Sequence, residues 1–431
     1  MSECEGQQHA HLDTLMQGYS EALAAHGVDG VLLYSGHPAR HFGDDQHASF
    51  AAYGHFVHWT GQAQLARSWL LVRPGKSPTL YFHAPADFWH LPARLPEEPW
   101  VDRFRVEARE TSAPPALPPG RFAVLGDVSD GVAQAMGAEA NPPGLVAALN
   151  ELRVSKSDYE VSCLRRANRR AMAGHRAARR VFEGGGAELD IQLAYLGGAR
   201  QRESELPYPN IVGLNAHGGV LHYQHYDTVA PEKRRSLLLD AGVRHRGYCA
   251  DITRTWSGPD SAGEFTPLIE GVTSLQQRLI ADLAPGVDFA ALHRRMHEGL
   301  AVLLVEQRLV NASTEAVLES GLTRVFCPHG LGHLLGVQVH DVAGLVDANG
   351  QPLPPPVEHP ALRLTRELMA GMVVTIEPGL YVIPMLLDPH RHRAEVNWKR
   401  VERLADHGGI RIEDNVLVTA AGPDVLTPKE T

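Results

Sequence analysis

The chain has 431 residues, enough at roughly 150 residues per domain for two or three domains with a substantial core. Its 40 Lys and Arg against 50 Asp and Glu leave a formal charge of −10, which argues against nucleic acid or an anionic membrane as main partner; 44% hydrophobic residues are too many for a disordered chain. The widely spaced Cys4, Cys163, Cys249 and Cys327 contain no C-x-x-C, the N-terminus lacks the apolar stretch of a signal peptide, and no run of about 18 apolar residues occurs, so reduced thiols, a cytoplasmic address and no membrane partner are expected.

Leu12, Leu15, Tyr19 and Leu23 recur every three or four residues, which predicts an amphipathic helix from 11 to about 26, ended by Gly27. The runs VLLYSG from Val31, SWLLVRPG from Ser68, TLYFHA from Thr79 and RFAVLGD from Arg121 end in Gly, Pro or Asp and read as buried strands, making the first part α/β. SAPPALPPGR, at 112–121, holds too much proline for a helix or central strand and reads as a loop. A long helix is predicted from Ser157, where Ser157 and Glu160 form an S-x-x-E capping box and Val161, Leu164, Ala167, Ala171, Ala178 and Phe182 keep the period up to the glycines at 184–186. The domain junction is expected there, with residues 1–155 and 156–431 on its two sides. Arginines on the helix's other face, Arg165, Arg166, Arg169, Arg170, Arg176, Arg179 and Arg180, read as a solvated or subunit-facing surface. Beyond it, β-rich stretches alternate with two helices near 268–283 and 292–309.

Several signatures fail on inspection. GKS at 75–77 is preceded by Leu70 where a P-loop needs Gly, Leu335 breaks a dinucleotide fingerprint, Ala301 stands where H-E-x-x-H after His297 needs its second histidine, and no G-x-S-x-G occurs.

Chemistry concentrates in the second half. In RRSLLLDAGVRHRGYCADITRTW two apolar stretches flank 244–247, and a hairpin turn centred between His245 and Arg246 would set Asp240 opposite Asp251, their Cβ atoms about 5 Å apart. Facing carboxylates on apolar strands call for a divalent cation or a shared proton; edge-exposed aspartates beside turns are the plainer alternative. AGMVVTIEPGLYV delivers Glu377 where Pro378 and Gly379 end a strand, and GGIRIEDNVLV sets Arg411 and Glu413 on one face, Ile410 and Ile412 on the other, unless the first two form only a surface ion pair. FCPHGLGHLLGVQVHDVAG brings His329, His333 and His340 within twelve residues, with Gly330 and Gly332 permitting close backbone approach. Four carboxylates and an imidazole make an oxygen-rich set that suits a pair of Mn²⁺ or Co²⁺ ions, with Zn²⁺ or Fe²⁺ as alternatives.

LLLDAG, YCADITRTW, HGLGH, TIEPGLY and GIRIED, in this order, resemble the metal-binding motifs of the pita-bread metallopeptidases. LPYPNIVGLNAHGGVLHY, VQVHDVAG and VNWKRVE further resemble the bacterial prolidases (Xaa-Pro dipeptidases), including their organophosphorus acid anhydrolase branch, and the resemblance covers nearly the whole chain. It implies an α/β N-terminal domain, an α+β pita-bread catalytic domain, a homodimer, and two divalent metal ions, Mn first. Asp240 would chelate one ion, Asp251 and Glu413 would bridge, and His333 and Glu377 would hold the other. His222, His329, His340 and Arg411 would line the pocket with Tyr208, and Arg363 would receive the substrate's terminal carboxylate, unless it merely pairs with Glu367. The implied reaction is hydrolysis of Xaa-Pro dipeptides: a bridging hydroxide attacks, His340 or His222 stabilises the oxyanion, and Glu377 shuttles the proton, with phosphotriester cleavage as a side activity. Although His329 and His333 have H-x-x-x-H spacing, the glycines between them oppose a helix, so only His333 is expected to ligate. Gly218 and Gly219 stand where relatives carry Ala-Ala and are expected to loosen that wall, and Asp45 in HFGDDQ is expected to reach the neighbouring subunit's site. The rival readings are an aminopeptidase P acting on longer peptides and a metal-free pita-bread binding module; methionine aminopeptidase fits less well, normally lacking so large an N-terminal domain.

Overall fold

Strand-forming runs in the first 150 residues pair into one mixed sheet. In the computed structural model, which describes residues 3–91, 93–261 and 263–429, the four predicted strands are β1 (Gly30–Tyr34), β2 (Trp69–Val72), β3 (Thr79–His83) and β5 (Phe122–Leu125). Two further strands, β4 (Arg105–Arg109) and β6 (Ala138–Ala140), close the edges in the order β4-β3-β2-β1-β5-β6, with β1–β5, β3–β4 and β5–β6 parallel. Their sequences RVEAR and AEA are only partly buried, so they carry no apolar run to announce them. Helix α1 (Glu3–Ala25) starts before the predicted point, because its polar first turns hold good helix formers without an apolar stripe; Leu12, Leu15, Tyr19 and Leu23 are buried. Three shorter helices, α2 (Gly54–Thr60), α3 (Asp130–Ala135) and α4 (Pro143–Glu151), complete this part, and 112–121 is irregular as expected.

By its contacts the chain forms two units, 1–163 with 246–248 and 348–351, and 164–245 with 249–347 and 352–431. Helix α5 (Asp158–Glu183) opens on the predicted capping box: the Ser157 N–H donates to Glu160 Oε2 at 2.9 Å and the Glu160 N–H to Ser157 Oγ at 3.4 Å. In the second unit its stripe of Ala167, Ala171, Ala178 and Phe182 shares a core with Ile191 and Tyr195 of α6 (Glu188–Ala199) and with β7 (Ile211–Leu214) and β8 (Ser236–Asp240). The arginine face is not wholly solvated. Arg170 donates to the carbonyls of Ala199 and Arg200, satisfying acceptors that the end of α6 leaves open, and to that of Arg244.

The remaining strands are β9 (Arg244–His245), β10 (Tyr248–Cys249), β11 (Thr253–Ser257), β12 (Val373–Ile376), β13 (Gly379–Tyr381), β14 (Gly409–Arg411), β15 (Asp414–Thr419) and β16 (Gly422–Val425), with helices α7 (Phe265–Ala281) and α8 (Phe289–Glu306) where two were predicted. They form the small sheets β11-β8-β7, β12-β15-β16, β13-β14 and β10-β9. The hairpin register differs from the expectation: Asp240 faces Thr253, not Asp251. The turn falls one residue later, on Arg246 and Gly247, both at positive φ (49° and 84°), the pair that a tight I′ turn requires. A shift of two partners preserves the face, so Asp251 still sits on the side of Asp240, one pleat away. Cys163, Cys249 and Cys327 are buried and not joined in disulfides; the side chain of Cys4 lies outside the described residues. No helix among the described residues is long and apolar enough to cross a membrane.

Candidate metal centre

Strand ends deliver the charged groups. Asp240 closes the apolar strand β8 and accepts hydrogen bonds from the Tyr208 hydroxyl at 2.7 Å and from Arg411 Nη2 at 2.7 Å. The same hydroxyl lies 2.5 Å from Asp251, so one proton serves two carboxylates. Asn415 clamps the Asp251 backbone at both ends, its Oδ1 accepting from the Asp251 N–H at 3.1 Å and its Nδ2 donating to the carbonyl at 2.5 Å. Glu413 sits between β14 and β15, so the predicted continuous alternation is interrupted there, yet Arg411 and Glu413 both reach the site. Glu413 accepts from Thr253 Oγ1 at 2.6 Å.

The histidine segment 329–334 is not helical and runs beside β12, with Leu334 bridged to Val374. Gly332 is required by this approach, since a Cβ there would lie 2.0 Å from the Thr375 carbonyl oxygen. Thr375 Oγ1 accepts from the His333 N–H at 3.0 Å and donates to Glu377 at 3.3 Å. His333 Nδ1 donates to the Leu334 carbonyl at 3.0 Å, which leaves Nε2 aimed at Asp251 (3.4 Å) and Glu377 (3.6 Å). His329 is used differently. Arg411 Nη1 donates to Tyr381 Oη at 2.9 Å, Tyr381 to His329 Nε2 at 2.8 Å, and His329 Nδ1 to the Gly330 carbonyl at 2.8 Å, so both of its nitrogens are engaged.

Electrostatically the carboxylates of the site outnumber its cationic groups. Burial raises the Asp240 carboxyl, Arg411 only partly opposing it, and burial reinforced by Asp251, Glu377 and Asp240 raises Glu413 well above the carboxylate range. Glu377 is pushed up to about 7 by burial and the neighbouring Asp251 charge. Burial also acts on Asp251, but the hydrogen bond and charge of His333 outweigh it and hold this carboxyl low. Carboxylates crowded out of water in this way need a cation, and Asp251, His333 and Glu413 each offer a donor atom within 4.8 Å of the others. The donor set, mostly oxygen with one imidazole, fits divalent metal ions.

A cavity of about 490 Å³ opens on these groups and is also lined by Tyr208, His222, His329, His340, Arg363 and Arg411, so every site residue expected from the sequence meets there. His340 stands edge-on to His333, ring centroids 4.5 Å apart, and burial together with His333 lowers its pKa to about 4. His222 and Arg363 are exposed on the wall. Arg363 has no ion-pair partner among the described residues, and 362–365 is not helical, which removes the helical pairing with Glu367. Gly218 and Gly219 do not loosen this wall. They are buried away from the cavity lining, Gly219 packed on the backbone of Gly408 with only 3.3 Å left for a Cβ. Sequence reasoning missed Thr375, Tyr381 and Asn415; their signal is a polar group two residues from a carboxylate, or within an apolar strand, on the same face.

Residues 162–420 match metallopeptidase family M24, and residues 7–150 match the Xaa-Pro dipeptidase N-terminal domain. The chain belongs to the M24 metallopeptidases. Within M24 it is 51% identical to an Xaa-Pro dipeptidase of Marinobacter nauticus over 97% of both chains, and 42% identical to one of Xanthomonas campestris pv. campestris over 97% of this chain and 96% of that one. Its M24 fold, an α/β N-terminal domain followed by a pita-bread domain, is that of Escherichia coli aminopeptidase P solved with the inhibitor Pro-Leu (TM-score 0.73, 20% identity, 98% of this chain and 94% of the other). Proline aminopeptidase P II from Yersinia pestis is similar (TM-score 0.70, 23% identity, 98% and 96%).

Proposed function

We propose that this M24 chain hydrolyses Xaa-Pro dipeptides with two divalent metal ions, Mn²⁺ as the native pair, held by Asp240, Asp251, His333, Glu377 and Glu413. The observation that carries the reading is the cavity that those buried and half-buried donors line together with Arg363, an exposed guanidinium without an ion-pair partner among the described residues. When bound, the metals activate a water molecule and polarise the scissile carbonyl. Tyr208 and Arg411 hold Asp240 in place, and Asn415 holds the backbone of Asp251. Arg363 binds the terminal carboxylate of the dipeptide, which lies just beyond the proline ring. His340, neutral at pH 7, donates an N–H to the carbonyl oxygen as it gains charge, with His222 as the alternative donor on the same wall. The proline nitrogen is a tertiary amide and leaves only when protonated; Glu377 shuttles that proton to it.

The same reading assigns catalysis to residues 156–431, pairs two chains in a homodimer in which Asp45 reaches the neighbouring site, and adds phosphotriester cleavage as a side activity. Assay of the purified chain on Xaa-Pro dipeptides tests the function: chelation should abolish hydrolysis and Mn²⁺ should restore it. Full activity after metal removal would overturn the reading.

A further inference from the structure

Helix α8 carries a cluster that the dinuclear centre does not use. His293 and His297 stand one helical turn apart on its inner face, 1% and 4% exposed. His359, partly buried, comes from a different segment and closes against both. Ring centroids lie 4.7 Å apart for His293 and His297 and 4.4 Å for His293 and His359, both edge-on, and 4.7 Å for His297 and His359, which are stacked. Neither nitrogen of His293 and neither of His297 has a hydrogen-bond partner among the described residues. Burying such groups without partners is unfavourable, so packing alone leaves the pair unexplained. A residue chosen only to fill this space would be apolar.

One nitrogen from each of the three rings lies within 4.8 Å of the others. We propose that His293, His297 and His359 form a separate mononuclear site for a borderline divalent cation, zinc above all, with water as fourth ligand. The donors are all imidazole, which suits zinc, whereas the dinuclear centre is mostly oxygen. Burial holds His293 near 2 and His297 near 3, so both rings are neutral at pH 7 and keep a lone pair for a metal. Tetrahedral ligands at zinc–nitrogen distances of about 2.0 to 2.1 Å would stand about 3.4 Å apart, a closure of at most about 1.4 Å. His359, outside any helix or strand, can supply that movement. The charges acting on the cluster are mixed: Glu358 favours a cation, while Arg294 and Arg324 oppose it, so the site binds more weakly than one backed by carboxylates. Occupancy would have a structural consequence. The His359 carbonyl accepts from the Leu362 N–H at 3.1 Å, so an ion there ties α8 to the turn that leads into Ala361 and Arg363 on the cavity wall.

Zinc titration of the full chain, with metal content measured after equilibrium dialysis, tests the site. The parent should bind three Zn²⁺ per chain, and His359→Ala and His297→Gln two each, with Xaa-Pro hydrolysis by the Mn²⁺-loaded His359→Ala enzyme within about twofold of the parent. A parent that saturates at two, or variants that keep the third ion, would overturn the proposal. Anomalous scattering at the zinc edge from zinc-soaked crystals of the parent decides independently of how the variants fold: a peak among the three rings is expected, and its absence at saturating zinc refutes the site.

Discussion

His329 and His333 share a motif but not an environment. The Leu334 carbonyl fixes the His333 tautomer so that Nε2 faces two carboxylates, whereas both nitrogens of His329 are occupied by Tyr381 and the Gly330 carbonyl. His333→Ala should therefore lose metal and nearly all turnover. His329→Ala should keep two metals per chain while kcat/KM falls by about 10- to 100-fold, as for a group that orients its neighbours. Metal analysis beside steady-state kinetics checks this, and equal metal loss from both variants would refute the division. The sequence motif alone made both histidines equivalent candidates; the intervening glycines separated them, because Gly330 and Gly332 let the segment lie along β12 instead of coiling. Thr375, Tyr381 and Asn415 were not legible, since single polar residues in apolar strands look alike until the strands are paired.

At the scale of elements, the site depends on β12 and the 329–334 segment keeping their distance. Gly332→Ala would place a methyl against the Thr375 carbonyl, a backbone atom that cannot turn aside. The substitution should cost about 1 to 3 kcal/mol in urea unfolding and lower metal affinity, because His333 and Glu377 are moved apart. Parent-like stability and metal content would show that the segment yields without cost. Strand existence in the sheet interior was plain from apolar runs, and helix α5 from its capping box. Edge strands β4 and β6 were not, being half polar, and the hairpin register was set by Arg246 at positive φ, a conformation that residue type does not announce.

Across the whole molecule, buried neutral histidines make stability depend on pH. His175, wholly buried in the second unit's core region beside Tyr195, donates Nε2–H to the Ala241 carbonyl at 3.2 Å, and burial followed by the Arg254 charge lowers its pKa to about 3. The unfolded chain takes up this proton near pH 6.5 and the folded chain does not, so the contribution is complete above pH 6.5 and shrinks as pH falls towards 3. Between pH 7 and 5 the parent should lose about 2 kcal/mol that a His175→Gln variant does not lose, read from urea unfolding at each pH. Identical slopes would show that His175 is not held neutral. The catalytic claim joins residues from 208 to 413, whose separate motifs were visible in the sequence while the network joining them came only from the fold. Its most direct test is kcat/KM of the Mn²⁺-loaded enzyme on Xaa-Pro, Xaa-Pro amide and Xaa-Pro-Yaa, in the parent and in Arg363→Ala. The parent should prefer Xaa-Pro, and the variant should lose about 30- to 1000-fold on it, the worth of a charge-assisted pair of about 2 to 4 kcal/mol, while losing little on the amide. A parent that cleaves Xaa-Pro-Yaa as well as Xaa-Pro, or a variant that treats dipeptide and amide as the parent does, would contradict the dipeptidase account.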